Sequence, residues 1–331
     1  MKNRMIALAA MAAFAAGSAL ATDSTLLGLV PPDAKVVAGV QVATAKASPF
    51  GQFVLSKLHP EGQAIFQQLE DATGFDPRRD VSELLMSLNG SVFGATRQGL
   101  LVASGVFDPA RIQSAAAAHG CTVSEVMGVT VYAAPGNANA AVALPTPTMG
   151  ILGDMDSVKG AIERYRSKAQ PSDDLQKRAD AASVDSSGAP NDFWFVTLAP
   201  LSEFAPKPPE GTENKTPQLN AFQSVQQASG GARFKADNVS LAAQLVMRSD
   251  KDAQSMADVI RFVAGMLQSS RHKDPDANAA IALLNTLTIN TNANVTQVAL
   301  VLPEAQLEQL LNTLQQHHTS RHAENRPLHI N

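Results

Sequence analysis

Apolar residues along the chain alternate between the two-residue period of strands and the 3.6-residue period of helices. A β-branched, apolar stretch at residues 34–42 predicts a buried strand, because such side chains pack well on a pleated surface. A helical region is predicted over residues 48–73, with Ser48 as its N-cap. A shorter helix is predicted over residues 80–88, where Asp80 would cap its first turn.

The rest of the first half is predicted to form strand pairs separated by two capped helices. The strands cover residues 91–96, 100–107, 122–126 and 129–133, with a further pair on either side of residues 145–147. Asp108 caps one helix, which ends before Gly120. The other helix covers residues 154–167, and an apolar stripe at the helical period consists of Met155, Val158, Ile162 and Tyr165.

A similar order of elements follows a polar segment at residues 170–190, which we interpret as a linker. Residues 193–198 predict a buried strand, in which Trp194 faces away from its two Phe neighbours. That face is either a second core layer, which we favour, or an interface. The later elements are a hairpin, two helices, a strand pair and a final helix, at residues 232–247, 250–270, 277–284, 286–302 and 303–314. In the 250–270 helix, capped by Asp250, the predicted buried face is Met256, Val259, Ile260, Val263 and Leu267.

The matching order of elements predicts an α+β fold of two similar halves. Each half is expected to form an antiparallel sheet with helices packed on one face. The repeated order also raises the hypothesis of an internal duplication. The predicted divisions are a signal peptide at 1–21, a first half at 22–169, the linker at 170–190, a second half at 191–316 and a polar, histidine-containing tail at 317–331.

The amino terminus has the three parts of an export signal. Lys2 and Arg4 supply positive charge, and residues 5–16 form an uncharged apolar run. Ala19 and Ala21 are small enough for the subsites of a signal peptidase, which predicts cleavage after Ala21. The apolar run is shorter than the roughly 20 residues of a spanning helix, so we expect no stable membrane insertion after cleavage. The expected product is a soluble protein in the periplasm or the medium.

Composition narrows the classes of partner. The 331-residue chain has 26 basic and 30 acidic residues, and cleavage leaves 24 and 30, a formal charge of −6. An acidic balance argues against nucleic acid as a partner, and the few aromatic residues argue against stacking platforms. Cys121 is the only cysteine, which excludes an internal disulfide and suggests a small buried apolar side chain.

The motifs of common enzyme classes are missing from the sequence. It contains no G-x-S-x-G, no phosphate-binding G-x-x-x-x-G-K-[ST], no G-x-G-x-x-G and no H-E-x-x-H string. The only Ser-x-x-Lys string starts at Ser270, at the polar end of a predicted helix, and we interpret it as a chance match. We therefore assign no catalytic residue and predict no cofactor. Sites assembled from distant residues leave no such motif, so an enzyme is not excluded.

Histidines are concentrated near the carboxyl terminus. On a continued helix, His318 and His322 would lie four residues apart on one face, a spacing that can hold a divalent metal ion. The alternative is a polar, fraying tail, which we favour because Glu324 is the only acidic residue nearby.

A compact charged turn with the sequence FDPRRD covers residues 75–80. It is either a contact for an anion or a partner, or a structural turn stabilised by its own carboxylates. We favour the structural interpretation, because Asp76 before Pro77 is typical of a turn.

Three segments carry a resemblance to known proteins. They read LLGLVPPDAKVVAGVQVATAKASPFGQFVLSKL, TGFDPRRDVSELL and LLVASGVFDPARI, and they resemble a group of uncharacterised exported proteins from acidobacteria. The layout is also similar to the DUF3352 class of bacterial envelope proteins. The resemblance covers most of residues 26–168 and continues by layout alone to residue 314. It implies an exported, two-part α+β protein and carries no known activity or site residue.

Together these observations favour a non-enzymatic exported protein that binds a partner protein or a small ligand in the bacterial envelope. The alternative is a hydrolase whose Ser, Asp and His residues meet only in the folded chain. A metal-linked role of the histidine tail is the third hypothesis.

Overall fold

The computed structural model describes residues 23–57, 60–89, 99–136, 139–203, 221–269 and 284–309. The helices are α1 (Ser24–Leu27), α2 (Val42–Ala47), α3 (Pro49–Ser56), α4 (Pro60–Thr73), α5 (Pro77–Asp80), α6 (Pro109–Ala118), α7 (Met155–Arg166), α8 (Asp173–Ala182) and α9 (Asp250–Ser269). Residues 304–309 are also helical. The strands are β1 (Val36–Val40), β2 (Val81–Leu88), β3 (Gly99–Gly105), β4 (Thr122–Val126), β5 (Val129–Ala133), β6 (Ala140–Thr146), β7 (Met149–Asp154), β8 (Phe193–Thr197), β9 (Val225–Phe234), β10 (Asn238–Met247), β11 (Thr288–Asn292) and β12 (Val295–Pro303).

All of these strands belong to one sheet, and every described pairing is antiparallel. The strand order is β11-β12-β10-β9-β8-β1-β2-β3-β7-β6-β5-β4. Strand β1 pairs with β8, where Ala38 lies opposite Phe195, and this pair joins the strands of the first half to those of the second. The α+β class is therefore confirmed. The expectation of a separate sheet for each half was wrong, because β1 and β8 continue one ladder.

Helices pack on both faces of this sheet, and not on one face as the sequence predicted. Successive strand residues point to opposite faces, so we call the face with Trp194 the front and the face with Phe195 the back. The front core joins strand residues to α7 and α8, and includes Val37, Leu85, Val102, Ile151, Val158, Ile162, Leu175, Ala179 and Trp194. The back core lies under α9 and includes Ala228, Met247, Ala253 and Met256.

The caps of α3 and α6 and the glycines that follow α4 and α6 were correctly predicted. The Ser48 hydroxyl accepts from the backbone N–H of Gly51 at 2.9 Å, at the start of α3. Asp108 accepts from two first-turn N–H groups of α6, each at 3.1 Å. Gly74 and Gly120 follow α4 and α6 with φ of +72° and +70°, a conformation that favours glycine. Because these contacts are made within a few residues, the sequence alone was sufficient to predict them.

The helix predicted over residues 80–88 was wrong, because this segment is strand β2. Leu84, Leu85 and Leu88 have helical spacing, but pairing with β1 and β3 determines their conformation. Asp80 accepts from the N–H of Asp76 at 2.9 Å, so it closes the preceding turn and caps no later helix.

The charged turn at α5 is held together by its own side chains, as the structural interpretation predicted. Asp76 caps α5 by accepting from the N–H of Arg78 at 2.9 Å, and the Arg78 guanidinium donates to the same carboxylate. Arg79 pairs with Glu70 and Asp80, each at 2.7 Å. The hydrogen bond from Arg78 is the main cause that lowers the pKa of Asp76 below its ordinary value, although burial opposes it. These pairings account for the residues without a bound anion.

The segment interpreted as a linker, residues 170–190, is part of the packed structure. Its helix α8 is capped by Ser172, whose hydroxyl accepts from the N–H of Leu175 at 3.2 Å. Leu175 and Ala179 are buried in the front core. The polar composition of this segment reflects the solvent side of an amphipathic helix.

Helix α9 also differs from its prediction. Its cap is Ser249, whose hydroxyl accepts from the N–H of Asp252 at 3.1 Å, and not Asp250. Met256 is fully buried, but Val263 and Leu267 are 37% and 45% exposed. The predicted buried face is therefore buried only in the amino-terminal half of the helix.

Two further side chains had predicted environments. Trp194 is fully buried in the front core, which confirms the favoured prediction. Cys121 is half-buried, so the prediction of a buried thiol was wrong. Among the described residues, no helix has the length and apolar character needed to cross a membrane.

Several predictions lie outside the described residues and stay predictions. They are the signal peptide, the strand at 91–96, the helix at 277–284, the Ser-x-x-Lys string at Ser270 and the histidine tail.

Candidate functional site: a polar trough on the sheet

The front face continues past the helices that cover its first part. Helix α8 packs against β8 and β9, and no described helix lies over the front face of β10, β12 and β11. This part of the sheet lines a cavity of about 340 Å³, which we call the trough. Its volume is within the range of roughly 300–1,000 Å³ that is usual for small-ligand pockets.

Antiparallel register arranges the floor of the trough in two parallel rows that cross four strands. A polar row consists of Asn290, Gln297, Gln244 and Ser229, each directly opposite the next. A row of smaller side chains lies beside it and consists of Thr288, Ala299, Ala242 and Gly231. The small row makes the depression, and the polar row gives it hydrogen-bonding groups along one side.

The chain that follows α8 forms one wall of the trough. Asn191 anchors this wall, because its amide donates to the backbone carbonyl of Ala182 at 2.8 Å. The amide lies directly over Gly231, where any added Cβ would overlap it. Glycine at position 231 therefore lets the wall approach the floor closely.

Asp185 is the only ionisable residue among the described residues that line the trough. It pairs with Arg233 at 2.8 Å and accepts from the N–H groups of Ser187 and Ala189. Burial alone would raise the pKa of Asp185, but hydrogen bonds from Ser187 and Arg233 outweigh it and hold that pKa well below its usual range. The Asp185 carboxylate is thus already hydrogen-bonded within its own loop and paired with Arg233. The described lining of the trough therefore offers polar groups but no unpaired charge.

The polar row has unused hydrogen-bonding capacity. The side chains of Ser229, Gln244, Asn290 and Gln297 make no hydrogen bond to any other residue in the described part of the chain. Gln244, Asn290 and Gln297 are exposed. Since each amide offers two donors and one acceptor oxygen, the row can pair with a ligand that carries both donors and acceptors.

Strand spacing sets the length of ligand that the trough can accept. Four neighbouring strands about 4.8 Å apart span roughly 14 Å. An extended chain advances about 3.3–3.6 Å per residue, so this distance corresponds to about four residues of peptide.

Other chemistries have little support within the described ranges. No group of three or more His, Cys, Asp or Glu side chains there is placed to hold a metal ion. His119 is the only histidine in those ranges, and it is exposed at the end of α6. The metal candidates His318 and His322, and the cleavage-site residues Ala19 and Ala21, lie outside them. The sequence-predicted site residues therefore stay predictions, and the described lining of the trough is a separate candidate site.

Sequence reasoning missed the trough because it combines two hairpins, β9-β10 and β11-β12, with the chain after α8, and these three segments are separated in the sequence. A signal was present in the middle of β10 and β12, where alternate positions carry Ala and Gln and not the large apolar residues of a two-sided core strand. That pattern indicates a strand with one solvent-facing side. It does not show which other strands lie beside it.

No family model matches the chain, and no curated protein matches it. Solved structures of TP0453 are similar in fold. Its crystal form IV has a TM-score of 0.50 at 11% identity and covers 86% of this chain and 95% of TP0453. Crystal form III has a TM-score of 0.48 at 12% identity, with coverages of 87% and 97%.

Proposed function

We propose that the protein is exported, cleaved after Ala21, and acts outside the cytoplasm as a non-enzymatic binding protein. Its trough holds an extended, uncharged peptide segment of an envelope partner. The observation that supports this most directly is the polar row, whose side chains have no hydrogen-bond partner in the described part of the chain and lie beside a row of small residues.

The chemistry of the trough favours a peptide segment over a charged ligand. Peptide groups carry an N–H donor and a C=O acceptor at regular intervals, which matches the mixed capacity of the amide row. Small side chains at Ala242 and Ala299 let a backbone approach the sheet closely. Asp185 is neutralised by Arg233, so a net charge on the ligand would gain no partner there.

Binding can be measured by titrating the mature chain with blocked tetrapeptides of Gly, Ala, Ser and Asn, using calorimetry and the side-chain amide signals in NMR. We expect the signals of Gln244, Asn290 and Gln297 to shift, and the double variant Gln244→Ala/Gln297→Ala to bind at least tenfold more weakly. Gln113→Ala removes the same amide from an exposed position on α6 and serves as the matched control. The proposal fails if no tetrapeptide binds, or if the double variant binds as well as the control.

The hydrolase with a dispersed site is the alternative. The described lining of the trough contains Ser186, Ser229 and Asp185 but no histidine, so it offers no nucleophile with a histidine base. An ester and peptide substrate screen on the same preparation separates the two functions. Turnover that is lost on replacing a pocket residue would support the enzyme and overturn the binding-protein proposal.

Export is tested at the amino terminus. Mass spectrometry of the protein recovered from the host envelope or medium is expected to show a chain that starts at Thr22. Replacing Ala19 and Ala21 with larger residues is expected to block processing. An intact amino terminus in the cytoplasmic fraction would contradict this part of the proposal.

The order of strands supports a duplicated origin of the two halves. In each half three strands form a meander, β1-β2-β3 and β8-β9-β10, and a helix follows, α6 or α9. The last strand of each half, β7 or β12, then returns beside the third. Superposing one block on the other, strand by strand, tests the duplication. Helices α6 and α9 on opposite faces after that superposition would contradict it.

A further inference from the structure

A second, smaller cavity lies where the loop after α1, the end of β2 and the start of α7 meet. Its volume is about 210 Å³, and its lining contains Pro31, Pro32, Asp33, Asn89, Asp154, Asp156, Ser157, Gly160 and Arg164. We call it the Arg164 pocket. The described linings of this pocket and of the trough have no residue in common.

Two buried polar atoms at this pocket have no hydrogen-bond partner among the described residues. Arg164 donates through Nε to the backbone carbonyl of Leu29 at 2.9 Å, but its Nη2 is unpaired. Asn89 donates through Nδ2 to Asp33 at 3.1 Å, and its Oδ1 is unpaired. The bond to the Asp33 carboxylate requires a donor, so it fixes the amide orientation and leaves the oxygen as the free atom. A residue with one unpaired buried donor and a residue with one unpaired buried acceptor thus line the same small cavity.

Buried polar groups are rarely left without a partner, because each has lost its hydrogen bonds to water. The unpaired Arg164 Nη2 and Asn89 Oδ1 would be satisfied by a ligand that offers an acceptor to Arg164 and a donor to Asn89. A carboxylate is the natural partner of a guanidinium, which it can meet with two parallel bonds. An ammonium group is a donor without acceptor capacity, which suits the free oxygen of Asn89.

The carboxylates in the pocket indicate where the positive end of the ligand lies. Asp154 is already occupied, since it caps α7 by accepting from the N–H and the hydroxyl of Ser157 at 2.9 and 2.7 Å. Asp33 has one oxygen left after its bond to Asn89, and Asp156 is exposed in the first turn of α7. These two carboxylates favour a cation on the side of Asn89.

We propose that the Arg164 pocket binds a free α-amino acid, with the α-carboxylate on Arg164 and the α-ammonium between Asn89 and Asp33. The volume, below the range of drug-sized pockets, restricts the ligand to this size class. The site is independent of the trough and of the peptide-binding function proposed there.

Calorimetry with the mature chain tests the site, using alanine, ethylamine and propionate as probes. Alanine carries both charged groups, and each of the other two lacks one. We expect alanine to bind at least tenfold more tightly than either. If propionate bound as tightly as alanine, the pocket would be a site for anions only. If alanine did not bind measurably, the pocket would hold only water. Either result overturns the proposal.

Variants of the pocket residues test separately the end that would bind the carboxylate and the end that would bind the ammonium group. Arg164→Gln and Asn89→Leu are each expected to weaken alanine binding at least tenfold, whereas Lys159→Gln, an exposed change on the same helix, leaves it unchanged. Because Arg164 also bonds Leu29, Asp33→Asn provides a second test that keeps the guanidinium contact, with a smaller loss expected. The trough variant Gln244→Ala/Gln297→Ala is expected to bind alanine normally, so failure of one site does not imply failure of the other. Normal alanine binding by Arg164→Gln would overturn the assignment.

Discussion

Two regions of the front face share one sheet and one strand geometry but differ in chemistry. From β7 to β8 the front face carries the buried apolar side chains of the core, such as Ile151, Val102 and Trp194. On β10, β12 and β11 the front face includes exposed polar and small side chains, such as Gln244 and Gln297, and its Val301 is also partly exposed.

The difference shows why helices cover one region and not the other. Helices α7 and α8 each present an apolar stripe, and they bury it where the sheet offers apolar partners. A helix over the amide row would bury groups that lose their hydrogen bonds to water without gaining others. The side chains of the strands therefore determine where the front face is closed and where a ligand can reach it.

The largest expected effect comes from the covered region. Ile162 on α7 is fully buried against the sheet, so Ile162→Ala is expected to lower the free energy of unfolding by about 3–4 kcal/mol. Val301 faces front in the open region and is 42% exposed, so Val301→Ala is expected to cost less than about 1 kcal/mol. Urea unfolding followed by circular dichroism measures both. Equal losses would mean that the two regions do not differ in packing.

Alanine substitutions at two glycines, one packed under a side chain and one with open space around it, test the same difference in packing. Gly39 lies under the Trp194 ring, and an added Cβ would overlap the indole, so Gly39→Ala is expected to cost about 1–3 kcal/mol. Gly265 on the exposed side of α9 has open space around it. Gly265→Ala is expected to stabilise by roughly 0.5–1 kcal/mol through helix propensity. The difference in urea midpoint between the two variants is the measurement, and a stable Gly39→Ala protein would show that the indole can move.

Glu83 is an ionisable group inside the covered region. Burial, with a smaller contribution from Asp23, raises the pKa of Glu83 from 4.5 to about 7. Its folded-state pKa is above the unfolded value, so its stabilising contribution is complete below about pH 4.5 and is lost as the pH rises through 7.

Glu83→Gln is expected to remove this loss. Because Glu83 is partly in contact with solvent, the free-energy difference is smaller than its pKa shift alone would give. The variant should be about 1–2 kcal/mol more stable than the wild type at pH 8. Near pH 4 the two proteins should be equal. Thermal unfolding between pH 4 and 8 tests this, and a wild-type advantage at pH 8 would show that the charged form is the stabilised one.

The smallest effect on stability is expected in the trough. Gln244→Ala and Gln297→Ala remove exposed side chains without intramolecular partners in the described part of the chain, so unfolding should change by less than about 0.5 kcal/mol. The same variants are expected to lose peptide affinity. A destabilisation above 1 kcal/mol would mean that these amides support the fold.

Helix caps and turns that are formed by hydrogen bonds between residues close in the chain could be predicted from the sequence. Asp108 and Asp154 accept hydrogen bonds from N–H groups two or three residues away, so their capping roles follow from local order. The turn at Met127 and Gly128, both with positive φ, is determined in the same way.

Features set by distant residues could not be predicted. The spacing of Leu84, Leu85 and Leu88 fits a helix, and only pairing with β1 and β3 makes the segment a strand. The trough depends on the register of four strands, and the Arg164 pocket on a contact between Arg164 and Leu29, 135 residues apart. A single sequence contains no information on such registers beyond the face that each strand presents.

The border between the two regions also gives the protein an optical reporter. Trp194 is the only tryptophan, and its partner in register on β9 is Gly231, a residue of the trough floor. Its indole N–H is buried without a hydrogen-bond partner in the described structure, an apolar setting in which emission lies at short wavelength. Intrinsic fluorescence therefore reports on a single site that adjoins both the closed core and the open trough.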